Sequence, residues 1–366
     1  MKLSILLLTF LLSINVVAQD SGTYESKPVT TLSGFVDAFY MYDFNQPGTN
    51  YRQGFFYNHN RHNEFNVNLA LMKVNVEHAK YRANFAFHAG TYGNDNYSEE
   101  PGLLKNIFEA NVGISLNERN NLWLDAGVFA SHIGFESAIS TDNWTLTRSF
   151  IAESSPYFLS GAKLTYNPND KWELVALMCN GWQRIQRLEG NSLPSYGTQV
   201  NYSPNERITL NWSTFIGTDE PDSTRRMRYF NDFFGQFQLS EKFSLIAGID
   251  YGVQQRAKSS DSYDAWFTPI IIGQLTINKS WKTAVRAEYF QDNAEIIIPT
   301  ETGNEFNITG LSWNWDYWPT SNVACRLEAR WLNSKDRIFA TNDDSFSNNN
   351  FTIGSSIAIQ FSEMLK

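Results

Sequence analysis

The segment VACRLEARWL, Val323 to Leu332, alternates residue by residue, with Arg326, Glu328 and Arg330 on one edge and Cys325, Leu327, Ala329 and Trp331 on the other. A period of two predicts a β-strand with chemically distinct faces. Two kinds of all-β protein can supply such a strand. A soluble sandwich turns the apolar face inward, whereas a membrane barrel turns it toward lipid and keeps the charges in a watery lumen.

The same alternation recurs along the chain. In YRANFAFHAGTY, Tyr81, Ala83, Phe85, Phe87 and Ala89 oppose Arg82, Asn84, Ala86, His88 and Gly90. Further on, Ile208, Leu210, Trp212 and Ile216 oppose Thr209, Asn211, Ser213 and Gly217. The run from Ser244 to Gln254 alternates too, with Ile246 as its one apolar breach on the polar face. About sixteen strand-length segments follow one another, from Leu32–Tyr42 to Phe351–Phe361. Two fit less well: ALMKVNVEH changes parity near Met72 and Lys73, which suggests a bulge, and LVALMCNGW is apolar on both faces.

Connectors sort into two classes that alternate in turn. Short turns such as His78–Lys80, NERNN (Asn117–Asn121), NKS (Asn278–Ser280) and PTSN (Pro319–Asn322) alternate with long polar loops such as Asn45–Asn63 and Asn333–Asn350. Outer-membrane barrels place short turns on the periplasmic side and long loops outside, with an even number of strands. Sandwiches and propellers give no reason for this sorting. The expected fold is therefore all-β, a transmembrane antiparallel β-barrel of about sixteen strands over residues 31–366.

The N-terminus reads as an export signal. Residues 1–18, MKLSILLLTFLLSINVVA, combine Lys2, an apolar run and small residues placed for cleavage. A short periplasmic segment, 19–30, precedes the barrel and leaves no room for the plug domain of an energy-coupled transporter, which also uses about 22 strands. No later run of about eighteen apolar residues could form a spanning helix. Removing Lys2 leaves 28 of the 29 basic residues against 38 acidic ones, a balance that excludes nucleic acid as a natural partner. Aromatic residues make up 15% of the chain, as girdles at two membrane interfaces would require.

Three blocks carry a family resemblance: GFVDAFYMYDFNQP (Gly34–Pro47), HNEFNVNLALMKV (His62–Val74) and DAGVFASHIGFESAISTDNWTLTRSFIAESSPYFLSGAKLTY (Asp125–Tyr166). They resemble the "putative β-barrel porin" family of Bacteroidota, over essentially the whole mature chain. The resemblance implies an integral outer-membrane barrel with a pore, names no solute, and supplies no catalytic residue.

Candidate functional residues follow from the barrel. Arg82, His88, Arg286, Glu288, Arg326, Glu328 and Arg330 fall on lumenal faces, where charges tune which ions and small hydrophilic solutes pass. The same Arg and Glu residues could instead pair along the wall and only stiffen it. The long connector from Ser131 to Ser155 follows the fifth strand, the position of the constriction loop in porins. By that resemblance Glu136, Asp142, Arg148 and Glu153 would narrow the pore; the alternative is a surface loop over the rim. Trp172, Trp281, Trp313, Trp315 and Trp318 lie close to short turns and suit a periplasmic girdle against outer-membrane lipid.

Enzyme chemistry finds little support. His59, His62, His78, His88 and His132 show no metal-ligand spacing, and Ser131, His132 and Glu136 lack an arguable oxyanion partner. No cofactor is implied. Cys179 and Cys325 fall on opposite walls and are expected to stay unpaired. The reading is a passive diffusion channel, compatible with a homo-oligomer. Two alternatives stay open: an occluded barrel whose outer loops bind glycan or a partner, and a secreted soluble all-β glycan-binding module.

Overall fold

The structure is a computed structural model that describes residues 27–300, 302–343 and 345–365. The expected export signal and most of segment 19–30 lie outside the described residues. The strands, in chain order, are β1 (Val29–Asp43), β2 (Phe65–Glu77), β3 (Tyr81–Ala89), β4 (Ile107–Ser115), β5 (Leu122–Ala130) and β6 (Phe158–Asn169). Next come β7 (Trp172–Cys179), β8 (Ser195–Asn205), β9 (Ile208–Gly217), β10 (Arg228–Gln238), β11 (Phe243–Gln255) and β12 (Tyr263–Thr276). The series ends with β13 (Trp281–Asp292), β14 (Phe306–Thr320), β15 (Val323–Ser334), the two-residue pair β16 (Phe339–Ala340) and β17 (Phe346–Ser347), and β18 (Asn349–Leu365).

Sixteen of these strands close into one antiparallel barrel, each beside its chain neighbour, with β18 sealing β1 to β15. Closure pairs the backbone donors and acceptors of every strand, which hydrocarbon demands. The strand count agrees with the alternation in the sequence, as does the sorting of connectors. Short turns join β2 to β3 and every second pair thereafter, so they gather at one end, and the long loops gather at the other.

The outer face is apolar and exposed: Val112, Trp212, Val285, Leu311 and Ile357 all point away from the lumen. A continuous apolar belt of this kind belongs in lipid and rules out the soluble-module alternative. Near the short turns, Trp172 stacks on Tyr202 at 4.2 Å and Trp281 on Tyr317 at 4.7 Å, while Trp313 and Trp315 lie 5.5 Å apart. Trp318 departs from the expectation. It follows the outward Tyr317, so the alternation turns it inward, where it packs with the lumenal cluster that includes Phe35 and Ile139.

The parity change in β2 is a bulge, placed four residues earlier than the sequence suggested. Leu69 pairs with Asp37 and Val67 with Ala38, which leaves Asn68 as the extra residue. Asn68 is thereby aimed inward, where its side-chain oxygen accepts the His59 N–H at 2.8 Å.

Candidate functional site: a loop folded across the barrel

An outward face in lipid requires only that the inward face be polar enough for water. Here much of it is apolar: Phe215, Phe230, Trp266, Phe290, Phe306 and Leu332 all face inward and are buried. Strand β7 reads apolar on both faces for the same reason, since Val175, Leu177 and Cys179 join this inner cluster. Ile246, the breach in β11, packs with Ile270, Ile272 and Ala284 against Ile151. Ile151 belongs to the connector between β5 and β6. The lumen is therefore occupied by protein, and that connector, residues 131–157, is its largest occupant.

The loop leaves β5 and is first held by β8, β9 and β10. The His132 carbonyl accepts Gln199 Nε2 and Ser213 Oγ, both at 2.7 Å, and the Gly134 N–H donates to Asp232 at 3.0 Å. Burial pushes the His132 imidazole down to about 4, so it stays neutral, with Nε2 2.9 Å from the Thr214 carbonyl. Ser131 Oγ accepts the Ile133 N–H, and no hydrogen bond joins it to His132 or Glu136. The three residues do not assemble into a nucleophile and base.

The loop then reaches β13, β14 and β15, on the far side of the lumen from β5 and β6. Wall carboxyls and amides take its backbone donors: Leu146 N–H to Asn314 at 2.9 Å, Thr147 N–H to Glu328 at 2.5 Å and Phe150 N–H to Glu288 at 2.7 Å. Wall arginines take its carbonyls: Arg286 donates to Thr147 O at 2.7 Å, and Arg326 to Ser140 O and, at 3.0 Å, to Asn143 O. The wall is paired within itself as well, Arg330 with Glu288 at 2.7 Å, Arg286 with Glu328 at 3.0 Å and Arg326 with Asp316 at 2.7 Å. Buried charges are tolerable only where opposite charges and several hydrogen bonds meet them, as here.

Within the loop, Arg148 acts as an internal brace, donating to the carbonyls of Ser137, Leu146 and Ala138. Glu136 accepts the Ser149 N–H and hydroxyl, just before the short helix α2 (Phe150–Glu153); the other short helix, α1 (Thr91–Asn96), lies in the connector after β3. Glu153 accepts the N–H groups of Tyr57 and Asn58 at 3.0 and 3.2 Å, which seats the first long loop, 44–64, on top of the inward one. Burial holds the Glu153 carboxyl up at about 7 against those donors. His59 is pinned beneath, 2.9 Å from Asp37, with both side chains fully buried.

This geometry corrects the sequence reading at several positions. Arg286, Glu288, Arg326, Glu328 and Arg330 do face inward, but each is at most 4% exposed, because the loop covers them. His88 is also buried, with Nε2 2.9 Å from the Lys105 carbonyl and its ring against Tyr97 and Phe108 under α1. These six residues do not meet lumenal water. Arg82 does, half-buried in the lumen with Nε 2.6 Å from Asp125 and its guanidinium over the Trp123 ring. Of the loop candidates, Arg148 and Glu153 are buried, Glu136 is partly so, and Asp142 is exposed. The anchors Thr147, Asn314, Asp316 and Asp232 escaped notice; the inward-facing Ile246 was the signal that something apolar lay against the wall. Cys179 and Cys325 are both free.

Among the described residues, the loop lines two polar recesses. On the short-turn side, about 780 Å³ is bounded by residues that include Gln199, Asn201, Gln236 and the loop's Gly134. On the long-loop side, about 560 Å³ is bounded in part by Glu153, Ser154 and Ser155.

The model of the family described as "Putative beta-barrel porin-2, OmpL-like" matches residues 29–361. No curated protein sequence matches the chain. Among solved structures, the anion-selective porin from Comamonas acidovorans superposes with a TM-score of 0.62 at 8% identity, over 92% of this chain and 100% of that one. The outer membrane channel DcaP of Acinetobacter baumannii gives 0.59 at 12% identity, over 92% and 99%. Salmonella typhi OmpF, solved in complex with daunomycin, gives 0.58 at 10% identity, over 91% and 97%. At these identities the likeness is one of fold.

Proposed function

The chain belongs to the family described as "Putative beta-barrel porin-2, OmpL-like", and on that premise we propose that it is an outer-membrane channel through which small hydrophilic solutes or ions diffuse passively. Family and fold are those of a channel rather than an enzyme, and no catalytic residue or cofactor enters the reading. The observation that carries it is the loop 131–157, tied from β8–β10 to β13–β15 across the lumen with a polar recess on either side.

In this reading the loop is the constriction. Arg286, Glu288, Arg326, Glu328 and Arg330 hold it rather than meet the solute. Discrimination falls to polar residues at the recesses, among them Glu173, Gln199 and Asn201, which stand where water reaches the wall. An OmpT of Vibrio cholerae, similar in fold at a TM-score of 0.59, is described in a trimer form, and a homo-oligomer is proposed for this chain on that likeness.

Swelling of proteoliposomes in solutes of increasing size tests the proposal. Swelling that is fast for the smallest solutes and falls with size is expected. Vesicles that hold the folded barrel yet swell no faster than protein-free ones would refute it.

A further inference from the structure

Asp232 on β10 and Asp250 on β11 are direct cross-strand partners on the lumenal face, each at most 1% exposed, and no salt bridge reaches either among the described residues. Direct partners in an antiparallel pair hold their Cβ atoms about 5 Å apart. Two carboxylates at that range inside a wall cannot both stay charged and unaided. Either a shared proton or a bound cation must offset them.

The use made of each oxygen separates the two cases. Asp232 Oδ2 accepts the Gly134 N–H at 3.0 Å and Asn211 Nδ2 at 2.9 Å, whereas Oδ1 of Asp232 and Oδ1 of Asp250 are buried without a hydrogen-bond donor. A third oxygen stands in the same row. Thr268 on β12 lies directly opposite Asp250, faces inward between Trp266 and Ile270, and is 1% exposed, and its hydroxyl has no hydrogen-bond partner. A proton shared by the carboxyls leaves that hydroxyl unsatisfied, at the usual cost of a buried orphan. A cation held by the row takes up all three oxygens.

The chemistry of the row selects the ion. Its donors are carboxylate and hydroxyl oxygens with no nitrogen or sulfur, the set that hard cations take, and two carboxylates balance a divalent charge. The neighbouring rungs offer nothing that competes: Phe230, Gly252 and Trp266 pair on one side, and Phe234, Gly248 and Ile270 on the other. The polar recess on the short-turn side, lined in part by Gly134 and Phe234, gives an ion a route from water to the row.

We propose that Asp232, Asp250 and Thr268 hold a hard divalent cation, calcium or magnesium. Because Asp232 also receives the Gly134 N–H, the ion fastens the start of the inward loop to β10 and β11. The site stands whether or not the barrel conducts.

The refolded chain in detergent, stripped with chelator, is the material, and terbium, calcium and magnesium are the probes. Trp266, two residues before Thr268 on the same face, is placed to sensitise terbium emission. Saturable emission at one ion per chain is expected, displaced by calcium or magnesium, and either of these ions should raise the urea midpoint above its value in chelator. Asp250→Asn keeps the shape of the side chain and relieves the repulsion that chelator exposes, so it should fold. It should nevertheless bind terbium at least about tenfold more weakly, as loss of a ligand requires, and lose the midpoint shift. Thr268→Val should weaken binding about fivefold, the equivalent of one interaction of about 1 kcal/mol. Heat-modifiable migration on a gel checks that both variants are folded. An unmoved midpoint with no saturable emission would overturn the cation in favour of the shared proton. Equal affinity in the wild type and Asp250→Asn would place the ion elsewhere and overturn the proposal too.

Discussion

Glu328, on the lumenal face of β15, accepts both the N–H of Thr147 at 2.5 Å and its hydroxyl at 2.9 Å, while holding the Arg286 guanidinium at 3.0 Å. One carboxylate thus bonds a loop to a wall that lies 181 residues away in the chain. Every element of that contact is buried, so neither partner can turn to water when the other is lost.

Glu328→Ala should therefore be costly. It removes one of the two carboxylates paired with Arg286, leaving Glu288 at 3.1 Å, and two loop donors lose their acceptor in the interior. The loss is about 3 kcal/mol, at the low end of the usual cost of breaking a buried pair. Urea titration of the refolded barrel, followed by tryptophan fluorescence, measures it. Glu328→Gln keeps an acceptor for Thr147 and should lose less.

The seat of the first loop on the inward one should depend on pH. Burial raises the Glu153 carboxyl from 4.5 to about 7, so the docked state prefers the neutral acid. Docking is then at full strength below about pH 4.5 and weakens as pH rises through about 7, by up to ~3 kcal/mol. Protease cleavage within loop 44–64 should quicken over that window, and Glu153→Gln should flatten the dependence.

Asp232 and Asp250 face each other directly across β10 and β11, both inward and at most 1% exposed, and no salt bridge reaches either among the described residues. Like charges in such a pair oppose folding. Asp250→Asn should leave stability unchanged or raise it by about 1 kcal/mol. Asp232→Asn should not match it, because Asp232 also receives the Gly134 N–H and Asn211. Parallel urea titrations of the two variants, with chelator present, decide between them.

Cys179 lies on β7 and Cys325 on β15, on opposite walls. The folded chain should migrate identically with and without reductant, and Cys179, buried on the lumenal side, should resist maleimide until the barrel is unfolded. Labelling of Cys179 in the native barrel would contradict its burial.

The barrel was legible in the sequence because its signals are local. A period of two needs only adjacent residues, and a short turn needs only a few polar ones, so YRANFAFHA and NERNN each announce themselves. The course of loop 131–157 was not legible in this way. Its partners, Asn314, Glu288 and Glu328, lie far along the chain, and a carboxylate facing water reads the same as one facing a loop. Lumenal Ile246, the two-faced β7 and the inward Trp318 were the local traces of an occupied interior. Taken together they indicate that several wall residues have protein opposite them.

The central claim is that the barrel conducts and that the buried arginines set its bore through the loop. Single-channel conductance of the refolded mature chain, beside an Arg326→Ser, Arg330→Ser variant, tests it most directly. Discrete steps are predicted for the wild type, with larger and noisier steps for the variant as the loop loses its hold on β15. A correctly inserted barrel that stays silent, or a variant whose steps match the wild type, would contradict the account.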